Sequence, residues 1–143
     1  MFFAVSILHK FCFVEIFNDT KSFANFRRLH KNNIEHLYKD AFVHLTRLES
    51  LDLSNNIIRA LPSNVFNNTI NLNILHLSNN KIKEIPQNLF HNTRKVEDLD
   101  LSGNEIVYVD SNTFKHLHDL KYLKLAENSI SELPEGAVDT TLI

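Results

Sequence analysis

One feature dominates this 143-residue sequence: it repeats itself every 24 residues. Leu48, Leu72, Val96 and Leu120 are in phase, as are Leu51, Leu75, Leu99 and Leu123, and Leu53, Leu77, Leu101 and Leu125. Asn56, Asn80, Asn104 and Asn128 follow, then Ile58, Ile82, Ile106 and Ile130. Leu61, Ile85, Val109 and Leu133 come next, and Phe66, Phe90, Phe114 and Val138 close each unit. An earlier, degenerate copy carries Leu29, Asn32, Ile34, Leu37, Phe42 and Leu45, with Ala24 and Arg27 where leucines belong. A unit of this size cannot bury its own apolar face. Stacked neighbours must complete the core, and that makes the chain a solenoid.

The spacing assigns a role to each position. The L-x-L core of a unit reads as a short strand with alternate side chains pointing inward. Stacking sets these strands in one parallel sheet, roughly 4.8 Å apart. The asparagines Asn32, Asn56, Asn80, Asn104 and Asn128 form a ladder. An amide offers donors and an acceptor together, so it can satisfy backbone groups where the chain turns out of the strand. The phenylalanines Phe42, Phe66, Phe90 and Phe114 form a spine under the outer face, and truncating one should cost about 3–5 kcal/mol.

Composition removes most enzymatic chemistries. Two glycines, Gly103 and Gly136, cannot build a glycine-rich phosphate loop. A single cysteine, Cys12, rules out an internal disulfide framework or a cysteine-based zinc cluster. The net charge of −2 gives no global attraction for nucleic acid, and no apolar run reaches the roughly 18 residues of a membrane span. No cofactor is expected.

The pattern L-x-x-L-x-L-x-x-N-x-I-x-x-L-P-x-x-x-F resembles the typical, 24-residue class of leucine-rich repeat. The resemblance runs from about Asn25 to the last residue. It implies an α/β-type solenoid, a horseshoe with a parallel β-sheet on the concave face and irregular or short helical convex segments. The array spans 23–143, as a degenerate unit 24–47 and then units 48–71, 72–95, 96–119 and 120–143. Residues 1–22 precede it as an irregular segment or a degenerate signal peptide. The resemblance is to ectodomains of Toll and Toll-like receptors and to secreted or adhesive leucine-rich repeat proteins. It implies a non-catalytic recognition module that binds a protein ligand or co-receptor through the concave sheet, with dimerisation open, in immunity, adhesion or development. An intracellular scaffold or enzyme regulator on the same fold is the alternative.

The ends and the compartment give weaker expectations. Extracellular members of the family usually carry cysteine-rich caps, which Cys12 alone cannot make, so a truncated chain is expected. Two acceptor motifs for N-glycosylation, at Asn18 and Asn67, favour an extracellular or cell-surface location over the cytoplasm. Asn67 directly follows Phe66, which places it on the return loop, away from the sheet.

Binding specificity is expected where the strands face solvent. One column reads Phe26, Ser50, Ile74, Asp98, Tyr122. The next reads Arg28, Asp52, His76, Asp100, Lys124. A third reads His30, Ser54, Ser78, Ser102, Ala126. The centre is acidic, the ends are basic, and Phe26 and Tyr122 are the aromatic anchors. His76 between Asp52 and Asp100 would sense pH through its carboxylate neighbours. A metal there is not expected, because nothing in the spacing enforces coordination geometry. A triad of Ser54, His76 and Asp100 lacks a strained nucleophile turn and oxyanion donors. His116 and His118, beside Asp119, read as solvated loop residues.

Overall fold

A computed structural model describes residues 25–137, together with the two-residue strand β1 (Phe11–Cys12). Strands β2 (Phe26–Arg28), β4 (Ser50–Asp52), β5 (Ile74–His76), β6 (Asp98–Asp100) and β7 (Tyr122–Lys124) form a five-stranded parallel sheet in that order. β3 (His36–Leu37) pairs in parallel with β1. The sheet register equals the sequence period. Leu51 lies opposite Leu75, Leu75 opposite Leu99 and Leu99 opposite Leu123. The expectations for residues 1–10 and 13–24, including Asn18, and for Val138 and beyond fall outside the described residues.

Each strand of the five-stranded sheet is three residues long and turns its central side chain toward the core. Leu51, Leu75 and Leu99 are completely buried, while the residues on either side face out. The ladder continues past the strands, where the amides of Leu53, Leu77 and Leu101 donate to the carbonyls of His76, Asp100 and Lys124. At the strand entrances one carbonyl serves two amides. Glu49 O accepts from Asn73 and Ile74, and Glu97 O accepts from Lys121 and Tyr122.

The chain leaves each strand through a residue with positive φ: Lys31, Asn55, Asn79, Gly103 and Glu127, again 24 apart. The left-handed region admits glycine freely and asparagine at modest cost. The turn then delivers the ladder asparagine to the interior. Asn80 Nδ2 donates to the carbonyls of Leu53, Leu77 and Ser78, and its Oδ1 accepts from the Ile58 amide. Asn56, Asn104 and Asn128 repeat this arrangement. Each therefore joins its own unit to the preceding one. Asn32 is exposed and donates only to the carbonyls of Leu29 and His30.

The convex side consists of turns, with no helix among the described residues. Bonds from residue i+3 to i close these turns, as at Val65 to Pro62, Asn67 to Asn64 and Thr69 to Phe66. Beneath them Phe42 and Phe66 stack with centroids 5.8 Å apart, and Phe90 and Phe114 at 6.0 Å. The core thus runs as a continuous column between the sheet and these rings.

Candidate functional site

The outward residues of the five strands form one surface. Parallel register brings Phe26, Ser50, Ile74, Asp98 and Tyr122 into one row, and Arg28, Asp52, His76, Asp100 and Lys124 into the next. Phe26 and Tyr122, at opposite ends of the first row, are 60% and 63% exposed. Those values are high for rings of this size and leave both free for contact.

The polar residues of the face are tied together. Asp52 Oδ1 accepts from the Ser54 hydroxyl at 2.6 Å and the Ser54 amide at 3.0 Å. Asp100 Oδ1 makes the same pair of bonds with Ser102. The recurring D-x-S is therefore a local brace that aims each carboxylate. The other oxygens face basic side chains. Asp52 Oδ2 lies 3.1 Å from His30 Nδ1, and Asp100 Oδ2 lies 3.8 Å from Lys124. Partial burial raises the Asp52 pKa, but the Ser54 bonds and the nearby His30 and His76 rings outweigh it. The carboxyl sits below its ordinary value of 3.8.

His76 lies opposite Asp52 and Asp100, as the repeat predicts, but its ring reaches a third carboxylate. Its Nε2 turns diagonally to Asp98 Oδ2, at 3.4 Å, while Asp52 and Asp100 take Ser54 and Ser102. Asp98 Oδ1 is buried without a hydrogen-bond partner. The aspartates thus pair with histidines at two places, His30–Asp52 and His76–Asp98. His30 was assigned to the face without a partner, because a row-by-row reading does not foresee diagonal contacts.

The upstream rim adds charge that the sequence reading left out. Asn25 Nδ2 donates to Glu49 at 2.7 Å, and Lys121 Nζ donates to Glu97 at 2.7 Å. The Glu97 bond raises the Lys121 pKa. Glu49 and Glu97 extend the acidic centre, and Lys121 joins Lys124 at the basic end. Among the described residues no group of three His, Cys, Asp or Glu is placed to hold a metal ion. No helix there is long and apolar enough to cross a membrane.

Asn67 lies on the return loop, half-buried, and its carbonyl accepts from Asn92 Nδ2 at 3.3 Å. The third residue of its motif, Thr69, is fully buried and donates its hydroxyl to the Phe66 carbonyl.

A period of 24, one parallel strand per unit and an asparagine bridging each pair of units define a leucine-rich repeat solenoid. The leucine rich repeat family profile matches residues 46–106 and 94–140, and the chain belongs to that family. Such repeats are typically non-catalytic protein-interaction domains. Similar solved structures include the LRIM1/APL1C complex, at 29% identity and TM-score 0.78, covering 82% of this chain and 22% of that one. The APL1 leucine-rich repeat domain matches at 29% identity and TM-score 0.78, over 82% of this chain and 31% of that one. The leucine-rich repeat domain of APL1B matches at 28% and 0.79, over 83% and 35%. The chain thus spans about a third or less of the length of these neighbours. A sequence search of curated proteins returns no match.

Proposed function

We propose that this solenoid is a protein-recognition module of an extracellular receptor, immune or adhesion protein, and that the concave sheet is its binding face. The observation that carries the reading is the charge pattern on that face. Asp52, Asp98 and Asp100 hold the centre, Arg28 and Lys124 the ends, and Phe26 and Tyr122 stand exposed in one row. Such a pattern suits a partner with a basic centre and apolar flanks. The charges set specificity and the rings supply anchors. One similar structure is a complex of LRIM1 with APL1C, which supports a second leucine-rich repeat chain as one class of partner.

The test is a binding comparison. Wild-type chain, Asp98→Asn and Tyr122→Ala are immobilised side by side and exposed to a display library of extracellular domains. A partner that binds the wild type and weakens at least about tenfold on both variants supports the reading, since a hot-spot residue is worth about 2 kcal/mol or more. Partners that bind all three chains equally would place recognition elsewhere and overturn it. The compartment is tested separately. Expression through a secretory pathway should yield a mass shift that a glycosidase removes, that Asn67→Gln reduces and that Asn67→Gln with Asn18→Gln abolishes.

A further inference from the structure

A second charged surface lies off the concave face, on the turns that lead back into the sheet. His91 and Arg94 sit on the turn after Phe90, and Lys115, His116 and His118 on the turn after Phe114. The His91 and His116 rings meet edge to face, with centroids 4.7 Å apart and planes at 70°. Among the described residues none of these five side chains forms an ion pair with a carboxylate. The Lys115 ammonium reaches only the Asn112 amide oxygen, at 3.5 Å. The groups whose charge bears on His116 are His91, Lys115, Arg94 and His118, all basic. Of the flanking charges, Lys95 donates to Asn71 Oδ1 at 2.8 Å, and Asp119 acts on Lys121.

We propose that His91, Arg94, Lys115, His116 and His118 form a proton-gated binding site for the sulfate groups of an anionic polysaccharide. Loss of solvent at the ring, together with the surrounding cations, holds the His116 pKa below its ordinary 6.5. At neutral pH His116 therefore adds no charge to that of Arg94 and Lys115. An oxyanion lying across the two rings reverses the repulsion between them and draws protons onto both, so binding and proton uptake are coupled. The two turns belong to consecutive stacked units, and the His91–His116 contact brings their cations into one patch. A patch that spans two units suits a linear chain with charges at intervals. The cluster contains no aromatic ring of Phe, Tyr or Trp on which a base could stack, which disfavours single-stranded nucleic acid. The site is independent of the concave face.

The experiment measures a fluorescent heparin octasaccharide binding to the full chain at pH 5.5 and 7.5, at fixed salt. The expected result is binding at pH 5.5 that weakens at least about tenfold at pH 7.5, as the imidazoles of the patch lose their charge. His91→Gln with His116→Gln should weaken binding at pH 5.5 and shrink the pH dependence to what His118 supplies. His91→Arg with His116→Arg should flatten the profile toward the strong level, which loss of folding cannot do. Equal affinity of wild type at both pH values, or a Gln pair with the wild-type profile, overturns the proposal. Tighter binding of an RNA of equal charge, lost in the same Gln pair, also overturns it and assigns the patch to nucleic acid.

Discussion

At the scale of single residues, the ladder asparagines do the most. Asn80 satisfies the Ile58 amide and three carbonyls in a region sealed from water. Asn80→Ala strands those groups, at about 1–3 kcal/mol for each that finds no new partner. Urea unfolding should show that loss for Asn80→Ala and a far smaller one for exposed Asn32→Ala; equal losses would contradict the bridging role. Asp52 gives a pH prediction. Its folded pKa is depressed, so the unfolded chain binds more protons in acid, and stability falls with pH there. The contribution is complete above the unfolded value near 3.9 and is lost as pH drops through the folded one. Asp52→Asn should therefore lower stability at pH 6 and flatten the fall below about pH 4. A variant whose acid limb parallels the wild type would refute the assignment.

At the scale of elements, the convex turn shows what pattern alone misses. Thr69, Thr93 and Thr113 are all buried beneath turns, but only Thr69 donates its hydroxyl, to the Phe66 carbonyl. The Thr93 and Thr113 hydroxyls are buried without partners. Thr93→Val keeps the shape and removes the stranded hydroxyl, so it should raise the unfolding free energy by about 1 kcal/mol. Thr69→Val should lower it, and a thermal melt of the pair reads the opposite signs directly. The strands and the phenylalanine spine were legible because packing fixes their residue types at each recurrence. The positive-φ turn was not. Lys31, Asn55, Asn79, Gly103 and Glu127 share a backbone conformation, but only Asn recurs among them, so the position carries no constant residue type. At Gly103 a Cβ would also meet the Asn79 side-chain amide, which is exposed and can swing aside. The histidine–aspartate pairs were likewise hidden. Column reading rightly places His76 opposite Asp52 and Asp100, but it does not show the D-x-S braces on one oxygen of each, nor the diagonal approach of the imidazole to Asp98.

At the scale of the whole molecule, the strands among the described residues contact only those of adjacent units, so stability is approximately a sum of local terms. The central units have neighbours on both sides: Leu51, Leu75 and Leu99 are wholly buried. Leu29, Leu123, Leu125, Ile130 and Leu133 are only partly buried against the same core. A chain held together by nearest neighbours should open from its less buried units inward, without a single global transition for every amide. Hydrogen exchange in native conditions tests this. The Leu53 and Leu77 amides, bonded to His76 and Asp100 across the middle of the sheet, should exchange slowest. The Leu29 amide, bonded to Asp52 at the start of the array, should exchange faster, and the Leu101 amide, bonded to Lys124 of β7, faster than Leu77. Addition of a concave-face partner should slow the outer amides most, because it ties weak units to strong ones. Identical protection at all four amides would mean that the five strands unfold as one body, and that coupling along the stack exceeds the difference in burial between its middle and its ends.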